Sequence, residues 1–189
     1  MTFYWYNIKQ LDEDAYHRAL TQMGSERRRR ISDFPAEDDR KRSAAGELLL
    51  RQALSEALGC SPEEAPLVWE DSGKPAAAAD GVYLSLSHSG PWVLCAIHDR
   101  PMGVDVEVIR SADQKFMLRA CSESEMAYIA FGREGCYRRF WECWTAKEAL
   151  FKVTGKGPLL GLSRLELPEN VALRYTEENG CAVTVAMAL

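Results

Sequence analysis

Residues 82 to 109 read VYLSLSHSGPWVLCAIHDRPMGVDVEVI, three β-prone runs in succession with no helical pattern between them. The runs cover 82–86, 92–97 and 104–109, and their Val, Ile, Leu and aromatic content suits a pleated, half-buried surface. On the N-terminal side lie an alanine-rich link, a turn at Gly73-Lys74-Pro75, and a helix predicted over 43–58, where leucines at 50, 54 and 58 recur at helical spacing before Gly59. Further back, Asp12 can cap a helix running to about 23, and 2–8 is aromatic and extended in character. On the C-terminal side helical material dominates 113–153, with Gly155 and Gly157 as terminators. Two last strands, 171–176 and 181–187, flank Asn179-Gly180, a strong hairpin signal.

The order is therefore strand, helices, strands, helices, strands. Helices and strands segregate instead of alternating, which argues an α+β fold with antiparallel sheets. A division into 1–100 and 101–189 places the boundary in the polar stretch between the second and third central runs.

Bulk composition removes several function classes. The chain has 189 residues, 47% of them hydrophobic, enough for a core without metal or disulfide staples. Its net charge is −5, from 23 basic and 28 acidic residues, which disfavours a general nucleic-acid binder. No charged-then-apolar leader and no apolar run of about 18 residues is present, so the expectation is a soluble, cytoplasmic protein without a membrane partner. The six cysteines form no C-x-x-C pair and read as reduced thiols.

Four segments carry chemistry. In Gly103-Val104-Asp105-Val106-Glu107, strand alternation puts the valines on one face and both acids on the other. Two neighbouring carboxylates are either solvated on an exposed face, or relieved by a hard cation such as Mg²⁺. In the run 140–157, Trp144, Glu148 and Lys152 fall at i, i+4 and i+8 with Lys147 beside them. Glu148 and Lys152 make either a helix-surface ion pair, or a metal ligand with a phosphate-neutralising lysine. Ser85-Leu86-Ser87-His88-Ser89-Gly90 follows a strand and opens into a turn suited to an anion; it lacks the glycines of a nucleophile elbow. His88 is a phosphate donor or a structural histidine, and His17 and His98 have no partner pattern. The basic run Arg27 to Arg30, with Arg40-Lys41-Arg42-Ser43 after it, is a solvated run, a local phosphate site or, least favoured by the net negative charge, a nucleic-acid patch.

Taken together these segments resemble the 4′-phosphopantetheinyl transferases, specifically the larger type that activates surfactin synthetase and similar assembly lines. The resemblance rests on Gly73-Lys74-Pro75, Ser85-Leu86-Ser87-His88-Ser89, Gly103-Val104-Asp105-Val106-Glu107 and Trp144-x-x-Lys147-Glu148-Ala149-x-x-Lys152-x-x-Gly155, in that order, and covers about residues 26 to 157. At 189 residues the chain is short for that type, and Ser85 stands where asparagine is frequent.

The resemblance implies two similar α+β subdomains related by a pseudo-two-fold, each with helices on a small, mainly antiparallel sheet, and coenzyme A in the cleft between them. It implies that Asp105, Glu107 and Glu148 hold Mg²⁺ and that Lys152 and Lys147 meet phosphate oxygens. Ser87 and His88 would lie against the coenzyme's phosphates, Lys74 near the adenosine end, and Arg27, Arg30 and Ser43 at the 3′-phosphate. Glu125 matches the general base, with Glu123 as its rival. The substrate is then coenzyme A, the partner an apo acyl or peptidyl carrier protein, and the expected state a monomer. A non-catalytic coenzyme A or nucleotide-binding module is the alternative. A charged-groove adaptor without a small ligand is a third.

Overall fold

The computed structural model describes residues 1–131, 135–154 and 168–189. It divides into two compact units, Met1–Asp99 and Arg100–Leu189. The glycines expected to stop the long C-terminal helix, Gly155 and Gly157, lie outside the described residues.

In the first unit β1 (Thr2–Asn7) leads through a 3-10 turn, Ile8–Gln10, into α1 (Glu13–Gln22), α2 (Ser25–Ser32) and α3 (Glu37–Leu58). A short ribbon of β2 (Leu67–Trp69) and β3 (Pro75–Ala77) follows, then the hairpin β4 (Tyr83–Ser89) and β5 (Trp92–His98). The main sheet runs β1-β5-β4, all antiparallel. Asp12 caps α1 as predicted, its carboxylate accepting from the Ala15 N–H at 2.7 Å. One stripe of α3, including Ala45, Leu49, Leu50, Ala53 and Leu54, packs on Val93, Cys95 and Ile97 of the sheet. Full burial of one such leucine contributes about 1.5–3 kcal/mol.

Three local expectations are corrected here. Helix α3 starts at Glu37, not near 43, because Glu37, Asp38 and Asp39 favour the positive helix end although they carry no apolar signal. The turn at Gly73-Lys74-Pro75 joins a short β2–β3 ribbon whose second strand takes the first residues of the alanine-rich link, and Trp69 pairs with Pro75 across that turn, where Gly73 has φ +83°. Finally, the Ser–His segment stays on strand β4 through Ser89, and the turn begins at Gly90. Alternation then buries Ser85, Ser87 and Ser89 while His88 is exposed on the other face.

The second unit opens with β6 (Met102–Val108), continues through α4 (Gln114–Ala120), α5 (Glu123–Ala130) and α6 (Cys136–Thr154), and ends in the hairpin β7 (Val171–Glu178) and β8 (Cys181–Ala188). Its sheet runs β6-β8-β7, antiparallel throughout. The hairpin turn falls at Asn179 and Gly180, φ +53° and +73°, the double left-handed conformation of a two-residue turn. Each unit thus pairs its first strand with the last strand of a hairpin and sets one long helix against the sheet. Among the described residues no helix is long and apolar enough to cross a membrane.

Candidate active site in the second unit

The site begins with a glycine. A Cβ on Gly103 would collide with the Ala149 carbonyl oxygen and come within 2.7 Å of Lys152 Cβ, so β6 and α6 touch backbone to backbone at this point. Asp105 and Glu107 share the Gly103 face by strand alternation and therefore lie on the side covered by α6. Asp105 is 5% exposed, which removes the reading of the pair as two solvated surface acids. Gly103→Ala is expected to destabilise the second unit by about 1–3 kcal/mol through overpacking. Urea unfolding checks this; an unchanged midpoint would contradict the close approach.

Lys152 reaches from α6 to the strand. Its ammonium donates to Asp105 Oδ1 at 2.8 Å and to the Val104 carbonyl at 2.9 Å, so it serves as more than a helix-surface partner. Glu148 lies one turn earlier. Burial pushes its carboxyl above the ordinary range, the negative charge of Asp105 adds to this, Lys152 opposes it, and Glu107 adds a smaller share. The charges of Asp105 and Glu107 on β6 are therefore both felt by Glu148 on α6. Glu148 Oε1 is buried and has no hydrogen-bond partner among the described residues.

These observations decide whether a hard divalent cation suits the residues present. All three donors are carboxylates, the oxygen chemistry that Mg²⁺ prefers. A buried oxygen without a partner and an acid destabilised by its like-charged neighbours are both relieved by a cation. The donor set fits. Among the described residues no three acidic, histidine or cysteine side chains are already gathered at ligating positions, and the Lys152 ammonium rests on Asp105.

Lys147 and Glu125 form a second cluster. Glu125 is the third residue of α5, and with the N-cap Ser122 it makes a capping box. Its Oε2 accepts from the Ser122 N–H at 2.7 Å, the Ser122 hydroxyl at 3.1 Å and Lys147 Nζ at 2.6 Å. Lys147 is 5% exposed and donates also to the Ala120 carbonyl at 2.6 Å. The ammonium expected to meet phosphate is thus committed to a carboxylate and a carbonyl. Glu123, the rival base, is exposed. Sequence reading missed Ser122 as the residue that aims Glu125, although Ser-x-x-Glu at 122–125 is a legible cap signal.

The first unit holds the other predicted residues in two places. Arg27 lies over the Trp69 ring, 3.3 Å from its centroid, with Nε 3.7 Å from Glu47 Oε2. Burial pushes its guanidinium below the usual range, and Glu47 opposes the shift. Lys74 sits in the turn of the ribbon that carries Trp69. Arg30 is exposed and pairs with Glu26 at 3.3 Å. Ser43 is half-buried on α3 beside Arg42, whose guanidinium donates to the Gly90 carbonyl at 2.8 Å, so this part of α3 reaches the end of β4 that carries Ser87 and His88. Glu47, which holds Arg27 and Trp69, carried no signal in the sequence.

Comparison with known proteins gives concordant results for both units. Residues 101–186 match the family model described as 4′-phosphopantetheinyl transferase superfamily, and 10–100 match the model for the N-terminal part of a 4′-phosphopantetheinyl transferase. The curated 4′-phosphopantetheinyl transferase psf-1 of Bacillus pumilus is 30% identical over 201 residues, covering 100% of this chain and 85% of its own. The 4′-phosphopantetheinyl transferase gsp of Aneurinibacillus migulanus is 28% identical over 85% of this chain and 68% of its own. The enzyme named Sfp in Bacillus subtilis strain 168 is 26% identical over 83% of this chain and 71% of its own. The chain belongs to the 4′-phosphopantetheinyl transferase family, in the type that includes these Bacillus relatives.

Proposed function

We propose that this chain transfers the 4′-phosphopantetheine group of coenzyme A to a serine of an apo acyl or peptidyl carrier protein, with release of 3′,5′-ADP. The observation that supports the reading is the Lys152 ammonium bridging from α6 to Asp105 at 2.8 Å, beside a Glu148 whose buried Oε1 has no hydrogen-bond partner among the described residues and whose carboxyl feels the charges of Asp105 and Glu107. These three carboxylates would hold Mg²⁺, whose chemistry when bound is to offset the negative charge of the pyrophosphate oxygens.

The remaining work falls to the chain's own groups. Lys152 neutralises a phosphate oxygen once its hold on Asp105 is exchanged for that oxygen. The serine Oγ bonds to the β-phosphorus as the bond from that phosphorus to the bridging oxygen breaks, and the electron pair leaves on 3′,5′-ADP. The serine proton passes to Glu125, and the oxygen that takes it is Oε1, because Oε2 already accepts three hydrogen bonds. In the first unit, Arg27, Arg30, Ser43, Lys74, Ser87 and His88 would serve the adenosine, the 3′-phosphate and the neighbouring phosphates. The shared topology of the units supports reading the chain as two related halves with these separate duties. The reading makes the protein a cytoplasmic monomer that meets coenzyme A and its carrier in solution.

Mass spectrometry of an apo carrier incubated with coenzyme A and Mg²⁺ tests the proposal. The carrier should gain one phosphopantetheine mass, and should not do so when its serine is replaced by alanine. No gain with several carriers, together with a thermal shift on coenzyme A, would replace the transferase with a binding module. Glu125→Gln should lower kcat by about 10²-fold, and Glu123→Gln should leave it near the original value. The reverse order would make Glu123 the base.

A further inference from the structure

We infer that Lys147 is a positioning residue for Glu125 and does not bind the coenzyme's phosphates, an assignment that rests on the proposed role of Glu125 as proton acceptor. Lys147 lies on α6 beside Glu148, yet its ammonium runs back into the unit and reaches both the end of α4, at the Ala120 carbonyl, and the start of α5, at Glu125 Oε2. Both contacts are 2.6 Å, and the side chain is only 5% exposed. A lysine so placed would give up two short charge-assisted hydrogen bonds to reach a ligand, and would leave Glu125 with a charge no longer paired.

The consequence concerns which oxygen of Glu125 is used. Three donors converge on Oε2: two from Ser122 and one from Lys147. They hold the carboxylate by that one oxygen, which leaves Oε1 as the oxygen assigned to take the proton. Ser122 alone secures the carboxylate to its own helix, whereas Lys147 ties that helix to α6, which also carries Glu148 and Lys152. Tyr128 and Arg139 also join the two helices, through Glu142 and the Ile129 carbonyl, but the Lys147 ammonium is the tie that ends on the proton acceptor itself. A displacement of about 1 Å at such a group costs up to about 10²-fold in rate.

A double-mutant cycle tests the inference: Lys147→Met, Glu125→Gln and the double variant, each assayed for kcat and for KM towards coenzyme A at fixed Mg²⁺. Lys147→Met should lower kcat by roughly 10- to 100-fold with KM for coenzyme A within about twofold. The double variant should be no slower than Glu125→Gln, since a residue acting through another adds nothing once that other is gone. The double variant removes both charges of the pair, so it remains informative where the single lysine variant is poorly folded. A KM for coenzyme A raised about tenfold or more in either lysine variant would overturn the assignment in favour of direct phosphate contact. So would a double variant slower than Glu125→Gln by the full single-lysine factor. Glu125→Gln at the original kcat would instead remove Glu125 from its role as base, and the inference with it.

Discussion

Asp105→Asn should lower the transfer rate by at least about 10²- to 10³-fold, the scale on which removing one preorganised electrostatic group slows a phosphoryl or acyl transfer. The substitution keeps shape and volume at a position only 5% exposed, so strand β6 and its pairing with β8 are expected to persist. It also retains an oxygen to accept from Lys152, which now reaches Asp105 Oδ1 at 2.8 Å. What disappears is a negative charge that presses on Glu148. Removing that repulsion favours the metal-free fold, losing the charge opposite Lys152 offsets it, and the cation site is weakened. The pattern to expect is an unchanged unfolding midpoint beside lost turnover and a weaker Mn²⁺ isotherm by calorimetry. A variant keeping more than about a tenth of its activity would show that Asp105 is not part of the reacting machinery.

Glu47→Ala should be the most damaging substitution in the first unit, at about 3–5 kcal/mol. Glu47 is 1% exposed on α3 and accepts from Arg51 Nε at 2.9 Å and from Trp69 Nε1 at 3.2 Å, with Arg27 Nε at 3.7 Å. Arg51 in turn donates to the Gln22 and Pro62 carbonyls, so one carboxylate organises the end of α1, the start of α2, the middle of α3 and the ribbon. Its removal leaves the guanidinium charges of Arg51 and Arg27 without their buried counter-charge. Glu47→Gln keeps an acceptor oxygen and should fall between the two. Urea unfolding followed by tryptophan fluorescence measures both, Trp69 being the residue whose surroundings change. A loss below about 1 kcal/mol for the alanine variant would mean that the network is tied together elsewhere.

The parts of the fold that the sequence disclosed are those governed by neighbours along the chain. Asp12 as a helix cap and Asn179-Gly180 as a two-residue turn both rest on local backbone chemistry, and both stand as read. Asp105 and Glu107 were assignable to one face because strand alternation is strict. That this face lies against α6 could not be read locally, since it follows from Gly103 meeting the Ala149 backbone some 46 residues away in sequence. The start of α3 was invisible to a periodicity argument because Glu37, Asp38 and Asp39 bury nothing. The β2–β3 ribbon was missed because each strand is three residues long and the second is proline and alanine. The β-prone run ends at Leu86 in the sequence, where the segment is expected to open into a turn, yet pairing with β5 keeps the chain extended through Ser89.

The same distinction runs through the site. Motif order grouped Asp105, Glu107, Glu148 and Lys152, and in the structure Lys152 bonds Asp105 while Glu148 feels the charges of all three others. The Lys147 ammonium meets Glu125, because the residue one step along a helix points about 100° away. Arg27 carried a phosphate-site expectation; its ring contact with Trp69 and its partner Glu47 depend on tertiary packing alone.

A crystal of the protein grown with coenzyme A and Mn²⁺ in place of Mg²⁺ addresses the carboxylate trio most directly, because the anomalous signal locates the ion without reference to any motif. One peak bounded by oxygens of Asp105, Glu107 and Glu148, with Lys152 moved from Asp105 to a phosphate oxygen, is the predicted result. A peak elsewhere, or coenzyme A bound while Lys152 still holds Asp105 and no ion lies against Glu148, would contradict it.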